Sequence, residues 1–379
     1  MSNRAPLIAG LGMTELGRVY GRSAREFAVD AVRNAVTDSG LSMADVDGLL
    51  INSGISERIP LDIAKDLQLG DLRLLMEAHS YGATAGSMVM LAAMAVRDGL
   101  ADTVACVFAD APLVEGVPTG ASYSGRRTPS GLTGLVVAAG LKTTTSMYAL
   151  AARRHMLRYG TTSEDFAAIA VAQRQWAAGN PLAQLRRPIS VEDHQSSRWI
   201  SDPLRLLDCC LVSNGGIAVL VTSQERLADL AQPPVYVHGY AQSHPRYSGY
   251  GDDNFGLESG AARSGPAALR MAGLRPADVD IAELYDCYTF TALLTMEDYG
   301  FCEKGECGDF VRSGATAPGG SLAVNTGGGQ LSSYYMWGMT PLSEAVIQGR
   351  GQGGMRQAPE NDLILVSGNG GIFDFHGTL

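Results

Sequence analysis

Gly40-Leu-Ser-Met-Ala-Asp-Val-Asp-Gly-Leu-Leu50 recurs in the second half of the chain as Gly273-Leu-Arg-Pro-Ala-Asp-Val-Asp-Ile-Ala-Glu-Leu284. Each copy follows an amphipathic helical stretch, Ala24 to Asp38 in the first and Gly265 to Ala272 in the second, and each runs on into an apolar strand. The Gly after each helix reads as a C-terminal stop, and the Ala-Asp-Val-Asp turn reads as the start of the strand. The correspondence extends further. In the first half a Gly/Ser-rich loop, Ser80 to Ser87, leads to a helix over Met88–Asp98 and a strand over Thr103–Ala109. In the second half the loop Gly327 to Gly338 leads to a helix over Thr340–Gln348 and a strand over Asp362–Ser367. A repeat of this kind predicts two duplicated βαβ-containing halves, 1–240 and 241–379. Each half should carry a largely parallel sheet and a helix N-terminus facing a Gly loop.

Between the halves, Pro112 to Gln232 is longer than an ordinary connection and reads as a functional loop insertion over the site. It contains helical stretches over Ser146–Tyr159 and Ser163–Ala178.

With 46% hydrophobic and 18% charged residues the chain of 379 is a well-buried globular protein. A net charge of −10 argues against a nucleic-acid binder, whose footprint is basic. It also means that an anionic substrate needs a local basic patch or help from a partner. Arg126-Arg127, Arg153-Arg154 and Arg186-Arg187 are such patches, although solvated surface pairs look the same in a sequence. There is no charged segment followed by a long apolar run at the start, and no stretch of ~20 apolar residues to span a bilayer. A cytoplasmic location is expected. The six cysteines do not read as a disulfide framework, and Cys302 and Cys307 lack a second ligand pair, so no metal site is expected.

Ile281-Ala-Glu-Leu-Tyr-Asp-Cys-Tyr-Thr-Phe290 resembles the Glu-x-His-Asp-x-Phe strand end of thiolases, with Tyr285 in place of the histidine. Asn325-Thr-Gly-Gly-Gly-Gln-Leu-Ser-Ser-Tyr-Tyr-Met-Trp-Gly338 resembles their Gly-Gly…Gly-His-Pro loop, with Tyr335 in place of the second histidine. Ala152 to Asp165, Val191-Glu-Asp193, Ser201 to Cys210 and the closing Val366 to Leu379 resemble the sterol-carrier branch of that superfamily. The resemblance covers almost the whole chain. It implies a thiolase-like α/β fold in five alternating α-β-α-β-α layers, usually a homodimer. Strand Thr103–Ala109, an apolar run, is the expected pairing edge.

The departures from thiolases bear on function. Where they place a nucleophilic Cys at a helix head, this chain has Tyr81-Gly-Ala-Thr-Ala-Gly86, and where the second Cys belongs it has Ser367. No acyl-enzyme nucleophile remains. The combination resembles the lipid-transfer-protein-type steroid side-chain aldolases. That implies retro-aldol cleavage of a β-hydroxyacyl-CoA, with coenzyme A carried by the substrate and no covalently bound cofactor. It implies a separate OB-fold/zinc-ribbon partner too. Tyr285 and Tyr335 fall on the two proton-transfer positions, and a one-residue slip would exchange Tyr334 with Tyr335. A free phenol has a pKa of ~10, so its anion needs stabilising. The Gly loops Gly327, Gly328, Gly329 and Gly368–Gly371 (Gly370 and Gly371 at its tip) could do this and hold an enolate oxygen. Asp286 and His376 are candidates for tuning the phenols. Each has a plainer alternative: core packing for the tyrosines, a loop anchor for Asp286, a structural hydrogen bond for His376, tight turns for the glycines. His79 is expected as a buried, satisfied imidazole. The competing functions are a non-catalytic acyl-CoA or lipid-binding subunit that organises a partner, and a decarboxylating or condensing acyl-CoA enzyme.

Overall fold

The computed structural model describes residues 4–119, 130–141, 143–245 and 253–379, so Arg126-Arg127 lies outside the described residues. The first half supplies β1 (Pro6–Met13), β2 (Gly48–Ser53), β3 (Leu74–Glu77), β4 (Thr103–Asp110), a separate hairpin β5 (Trp199–Ser201) and β6 (Leu204–Arg205), then β7 (Gly215–Ser223) and β8 (Val235–Tyr236). The second half supplies β9 (Ala241–Ser243), β10 (Ile281–Glu283), β11 (Ala323–Val324), β12 (Ile364–Gly370) and β13 (Phe375–Thr378). The sheets run β3-β2-β4-β7-β1-β8 and β11-β10-β12-β13-β9.

Both sheets are mixed, which corrects the largely parallel expectation. β2, β3 and β4 are parallel, as are β10, β11 and β12, but β7 lies antiparallel between β4 and β1, and β13 antiparallel to β12. β7 falls inside 112–232, so the part of that stretch outside the sheets ends before Gly215.

The helices are α1 (Ala24–Ser39), α2 (Ile63–Asp66), α3 (Thr84–Arg97), α4 (Gly131–Ala138), α5 (Thr144–Tyr159), α6 (Ser163–Ala178), α7 (Val191–Ser196), α8 (Ala261–Ala272), α9 (Thr289–Tyr299), α10 (Cys307–Arg312), α11 (Gly329–Ser332) and α12 (Met339–Gly349). α1 covers the outer face of the first sheet, α3 and α12 lie between the sheets, and α8 covers the second with α9 packed beside it. Five layers result.

The repeat is legible atom by atom. Ser23 and Glu26 close a capping box on α1, and Gly40 (φ 83°) and Gly273 (φ 75°) end α1 and α8 in the left-handed region. The first Asp of each Ala-Asp-Val-Asp closes a single turn: Asp45 accepts from the Ser42 amide at 2.8 Å and Asp278 from the Arg275 amide at 2.8 Å. The second Asp anchors the neighbouring strand. Asp47 accepts from the amides of Asp102 and Thr103 before β4, and Asp280 from those of Asp362 and Leu363 before β12.

β4 is paired on both sides and wholly buried, so Thr103–Ala109 cannot be a dimer edge. An interior strand has no free backbone groups to offer. The edges of this sheet are β3 and β8; β3 is the longer, and its Leu75 and Met76 are 40% and 38% exposed. α3 begins at Thr84, four residues before the expected start, because small residues at 84–87 let it lie between two sheets.

Candidate catalytic site

Two loops meet at the C-terminal ends of the parallel strands β10, β11 and β12, where α/β sheets place their ligands. β10 releases Tyr285, and the segment after α11 carries Tyr335. Their phenolic oxygens are 2.9 Å apart, with ring centroids at 6.5 Å and an interplanar angle of 62°. Tyr285 is buried and Tyr335 half-buried. Burial makes the shared hydrogen bond stronger than it would be in water.

The loop insertion holds Tyr335 in place. Its amide donates to Ser213 Oγ at 3.0 Å, and Gln184 Nε2 donates to the same hydroxyl at 2.9 Å. The amides of Gln184, Leu185 and Leu211 donate to the carbonyls of Ser333, Ser332 and Gln330. Tyr334 points the other way. Its hydroxyl meets Ser343 Oγ at 3.0 Å in the core, and burial pushes its pKa above the usual phenol value. The one-residue ambiguity is thus resolved in geometry: Tyr335, not Tyr334, meets Tyr285.

Asp286 is fully buried and accepts from the amide of Gln330 at 2.9 and 3.0 Å and that of Leu331 at 3.3 Å. It thereby pins α11 to the β10 loop. Burial raises its pKa to about 7 against the lowering effect of those amides. The same bonds engage amides at the head of α11 with the carboxylate. Gly328 (φ 95°) and Gly329 (φ 60°) form the turn, and a Cβ on Gly329 would stand 2.2 Å from Asp286 Oδ2. Gly327 packs on the Glu344 carboxylate, Gly370 on the Ser80 carbonyl, and Gly371 (φ 62°) turns the chain before β13.

Beneath the loops, Glu283 accepts from the amide of Thr326 at 3.0 Å and from its hydroxyl at 2.6 Å. Burial and neighbouring Glu344 raise the Glu283 pKa well above the carboxylate range, while Glu344 is paired with Arg356 at 2.9 and 3.1 Å. Glu283 thus braces Thr326 and the Gly loop from below.

His376 lies behind this surface. Its Nε2 is 2.8 Å from Tyr299 Oη and 3.2 Å from Ser367 Oγ, and burial lowers its pKa to about 3. It stays neutral. Because the folded value lies below the unfolded ~6.5, its contribution to stability is intact above pH 6.5 and is lost as pH falls toward 3. Between those limits each unit of acidification costs the fold about 1.4 kcal/mol from this group. His376→Gln is expected to flatten the acid limb of a stability–pH curve measured by denaturant titration. An unchanged limb would show that His376 is protonated without penalty.

Gly82 is the residue that the sequence reading passed over. A Cβ there would lie 2.1 Å from Tyr285 Cε2 and 2.2 Å from the Asn369 carbonyl. Tyr285 thus occupies the ground a longer side chain on the loop before α3 would need. Tyr148 was missed too: on α5 its ring lies tilted against that of Tyr288 with centroids 4.8 Å apart, and its hydroxyl lies 3.5 Å from Asn369 Nδ2. Tyr148 carries no local sequence signal, and Gly82, although it lies in the Tyr81–Gly86 stretch where thiolases place a cysteine, carries none that ties it to Tyr285. His79 is exposed rather than buried, edge-on to Tyr81 at 4.7 Å. Cys287, two residues beyond Tyr285, has its thiol pushed up to about 12 by burial, too high for a thiolate nucleophile.

Residues 240–379 match the family model described as thiolase C-terminal domain-like. Over 377 residues the chain is 39% identical to the steroid side-chain-cleaving aldolase of Thermomonospora curvata, covering 97% of this chain and 95% of that protein. It is 38% identical over 374 residues to the 17-hydroxy-3-oxo-4-pregnene-20-carboxyl-CoA lyase of Mycobacterium tuberculosis, covering 96% of each. Among solved structures it is similar to the Ltp2-ChsH2(DUF35) aldolase, with a TM-score of 0.88, 36% identity and coverage of 99% and 97% of the two chains.

Proposed function

The chain belongs to the thiolase superfamily, in the branch of the steroid side-chain-cleaving aldolases, and on that premise we propose that it cleaves a β-hydroxyacyl-CoA carrying a steroid side chain. It is a carbon–carbon lyase and not a thiolase. The observation that carries the reading is the Tyr285–Tyr335 contact of 2.9 Å.

A phenolate accepting a hydrogen bond from a second phenol is stabilised by it, which makes one tyrosine of the pair a usable base. Tyr285 takes the proton of the β-hydroxyl, and the oxygen forms the ketone or aldehyde carbonyl as the Cα–Cβ bond breaks. The bond's electrons pass to Cα as a thioester enolate. Tyr335 gives Cα its proton and is left as the phenolate. Transfer of one proton from Tyr285 to Tyr335 across the short contact restores the starting pair, so no external acid or base is consumed. The reverse assignment of the two tyrosines balances equally.

Coenzyme A enters as part of the substrate, and its phosphates require cations. Arg153 pairs with Asp202 at 2.7 Å, and Arg154 donates to the Asp253 and Phe255 carbonyls. With these guanidiniums engaged by the chain's own groups, a second protein of the OB-fold/zinc-ribbon type is the natural source of further CoA contacts. The partner named in the matched aldolase structure supports that arrangement.

We place a homodimer contact at β3. Leu75→Lys is expected to shift the protein toward monomer in light scattering, whereas an unchanged mass would move the contact elsewhere. No helix among the described residues is long and apolar enough to cross a membrane.

The function is tested by incubating the chain, co-purified with the partner, with a steroid side-chain β-hydroxyacyl-CoA and following release of a short acyl-CoA such as propionyl-CoA. Cleavage is expected. Tight acyl-CoA binding without cleavage would turn the reading to a non-catalytic scaffold.

A further inference from the structure

On the retro-aldol reading above, we infer that the side chain of Asn369 donates the hydrogen bond holding the thioester oxygen as it becomes an enolate. When the Cα–Cβ bond breaks, negative charge settles on that oxygen, and a donor already in place lowers the barrier. The Gln330 and Leu331 amides at the head of α11 are taken, since both donate to Asp286. The thioester oxygen is bonded to the carbon next to the Cα that is protonated. Its donor therefore has to stand beside the two phenols.

Asn369 stands there. Its backbone carbonyl oxygen lies 2.2 Å from the point that a Cβ on Gly82 would occupy, and Tyr285 Cε2 and Cζ lie 2.1 and 2.3 Å from the same point. β12 thus carries Asn369 past the phenol end of the Tyr285 ring. The residue is fully buried. A carboxamide has two N–H bonds to give and two lone pairs to receive them. Here Nδ2 makes one long contact, 3.5 Å to the Tyr148 hydroxyl, and Oδ1 has no partner among the described residues. Buried polar groups are seldom left in this condition, and one beside a reacting centre points to a ligand atom.

Tyr148 sets the carboxamide. Its ring packs against Tyr288, with centroids 4.8 Å apart, and edge-on against Phe373, with centroids 5.2 Å apart. Burial, together with the neighbouring Cys287, Tyr285 and Tyr288 groups, holds its pKa well above the usual phenol value. The hydroxyl therefore keeps its proton. A half-turn of the carboxamide about its terminal bond lets that proton go to Oδ1 and leaves both N–H bonds for a bound oxygen. The buried acceptor is then satisfied. In this assignment Asn369 touches the reacting atoms, and Tyr148 acts through it as a positioning residue.

The test compares wild type, Asn369→Ala, Asn369→Asp and Tyr148→Phe, each in the co-purified preparation of the cleavage assay above. Calorimetry adds the affinities for propionyl-CoA and for carboxymethyl-CoA, whose carboxylate mimics the charge of the enolate. In both Asn369 variants kcat is expected to fall 10²- to 10³-fold, the effect of removing one oxyanion donor, with KM changed little. Tyr148→Phe should lose about tenfold, the worth of one hydrogen bond. Carboxymethyl-CoA should bind at least tenfold more weakly to Asn369→Ala, while propionyl-CoA binds as before. Asn369→Asp keeps the shape of the side chain and decides the matter if Asn369→Ala does not fold. Cleavage by the Asn369 variants within tenfold of wild type overturns the assignment and leaves the retro-aldol reading standing. Equal loss of affinity for the two CoA ligands reveals a merely structural role and also overturns it. A wild type that does not cleave overturns both.

Discussion

Tyr285→Phe is expected to lower the rate of cleavage by 10²- to 10⁴-fold, the range that a positioned general base or acid contributes. The substitution removes one oxygen and leaves the ring, so the packing against Gly82 and Tyr335 is kept. The lost hydrogen bond to Tyr335 costs about 1 kcal/mol of stability, a small change in melting temperature. The effect should fall on kcat, with KM for the acyl-CoA changed little, because in the proposed mechanism the phenol acts on the reacting atoms and not on the CoA. Tyr335→Phe should lose a similar factor. The double variant should be scarcely worse than either single one, since a pair that hands one proton back and forth fails when either member is gone. A Tyr285→Phe enzyme within tenfold of wild type would move the chemistry to another group.

Gly82→Ala should be nearly as damaging, by a different route. The new methyl would sit 2.1 Å from the Tyr285 ring and 2.2 Å from the Asn369 carbonyl. Neither can retreat cheaply. The ring is tied to Tyr335 by its hydroxyl, and Asn369 is fixed in β12 against β13. Overpacking of this kind costs roughly 1–3 kcal/mol and can exceed that when backbone must move. A lower melting temperature is expected together with loss of cleavage as the 2.9 Å contact opens. Gly82→Cys meets the same obstacle, so putting a cysteine back on this loop should not produce a thiolase. Wild-type melting and activity in Gly82→Ala would show that Tyr285 moves freely and that its geometry is not held by close packing.

Much of this was readable in one dimension. The Ala-Asp-Val-Asp repeat announced two similar halves because each copy encodes a self-contained device: a helix stop, a one-turn Asp clasp and a second Asp that anchors the next strand. The two tyrosines could be picked out because each sits in a motif where a histidine is expected. Their neighbours could not. Ser213 and Gln184 are far from Tyr335 in the chain and carry no pattern, yet they clamp its loop.

Strand edges were misplaced for a related reason. An apolar run such as Thr103–Ala109 reads the same whether it borders a sheet or lies in its middle. Only the insertion of antiparallel β7 beside β4 decides between the two. Likewise the small residues at 84–87 read as a loop, and became the first turn of α3 because two sheets close on it. The sequence by itself determined the duplicated α/β architecture, the absence of cysteine from both motif positions and the two tyrosines that stand in the histidine positions, since turns, caps and motif positions are local. The tertiary structure alone decided that Tyr335 rather than Tyr334 meets Tyr285, that Gly82 must have no side chain, and which strand is left unpaired. Those outcomes depend on atoms brought within a few ångströms by packing between segments far apart in the chain.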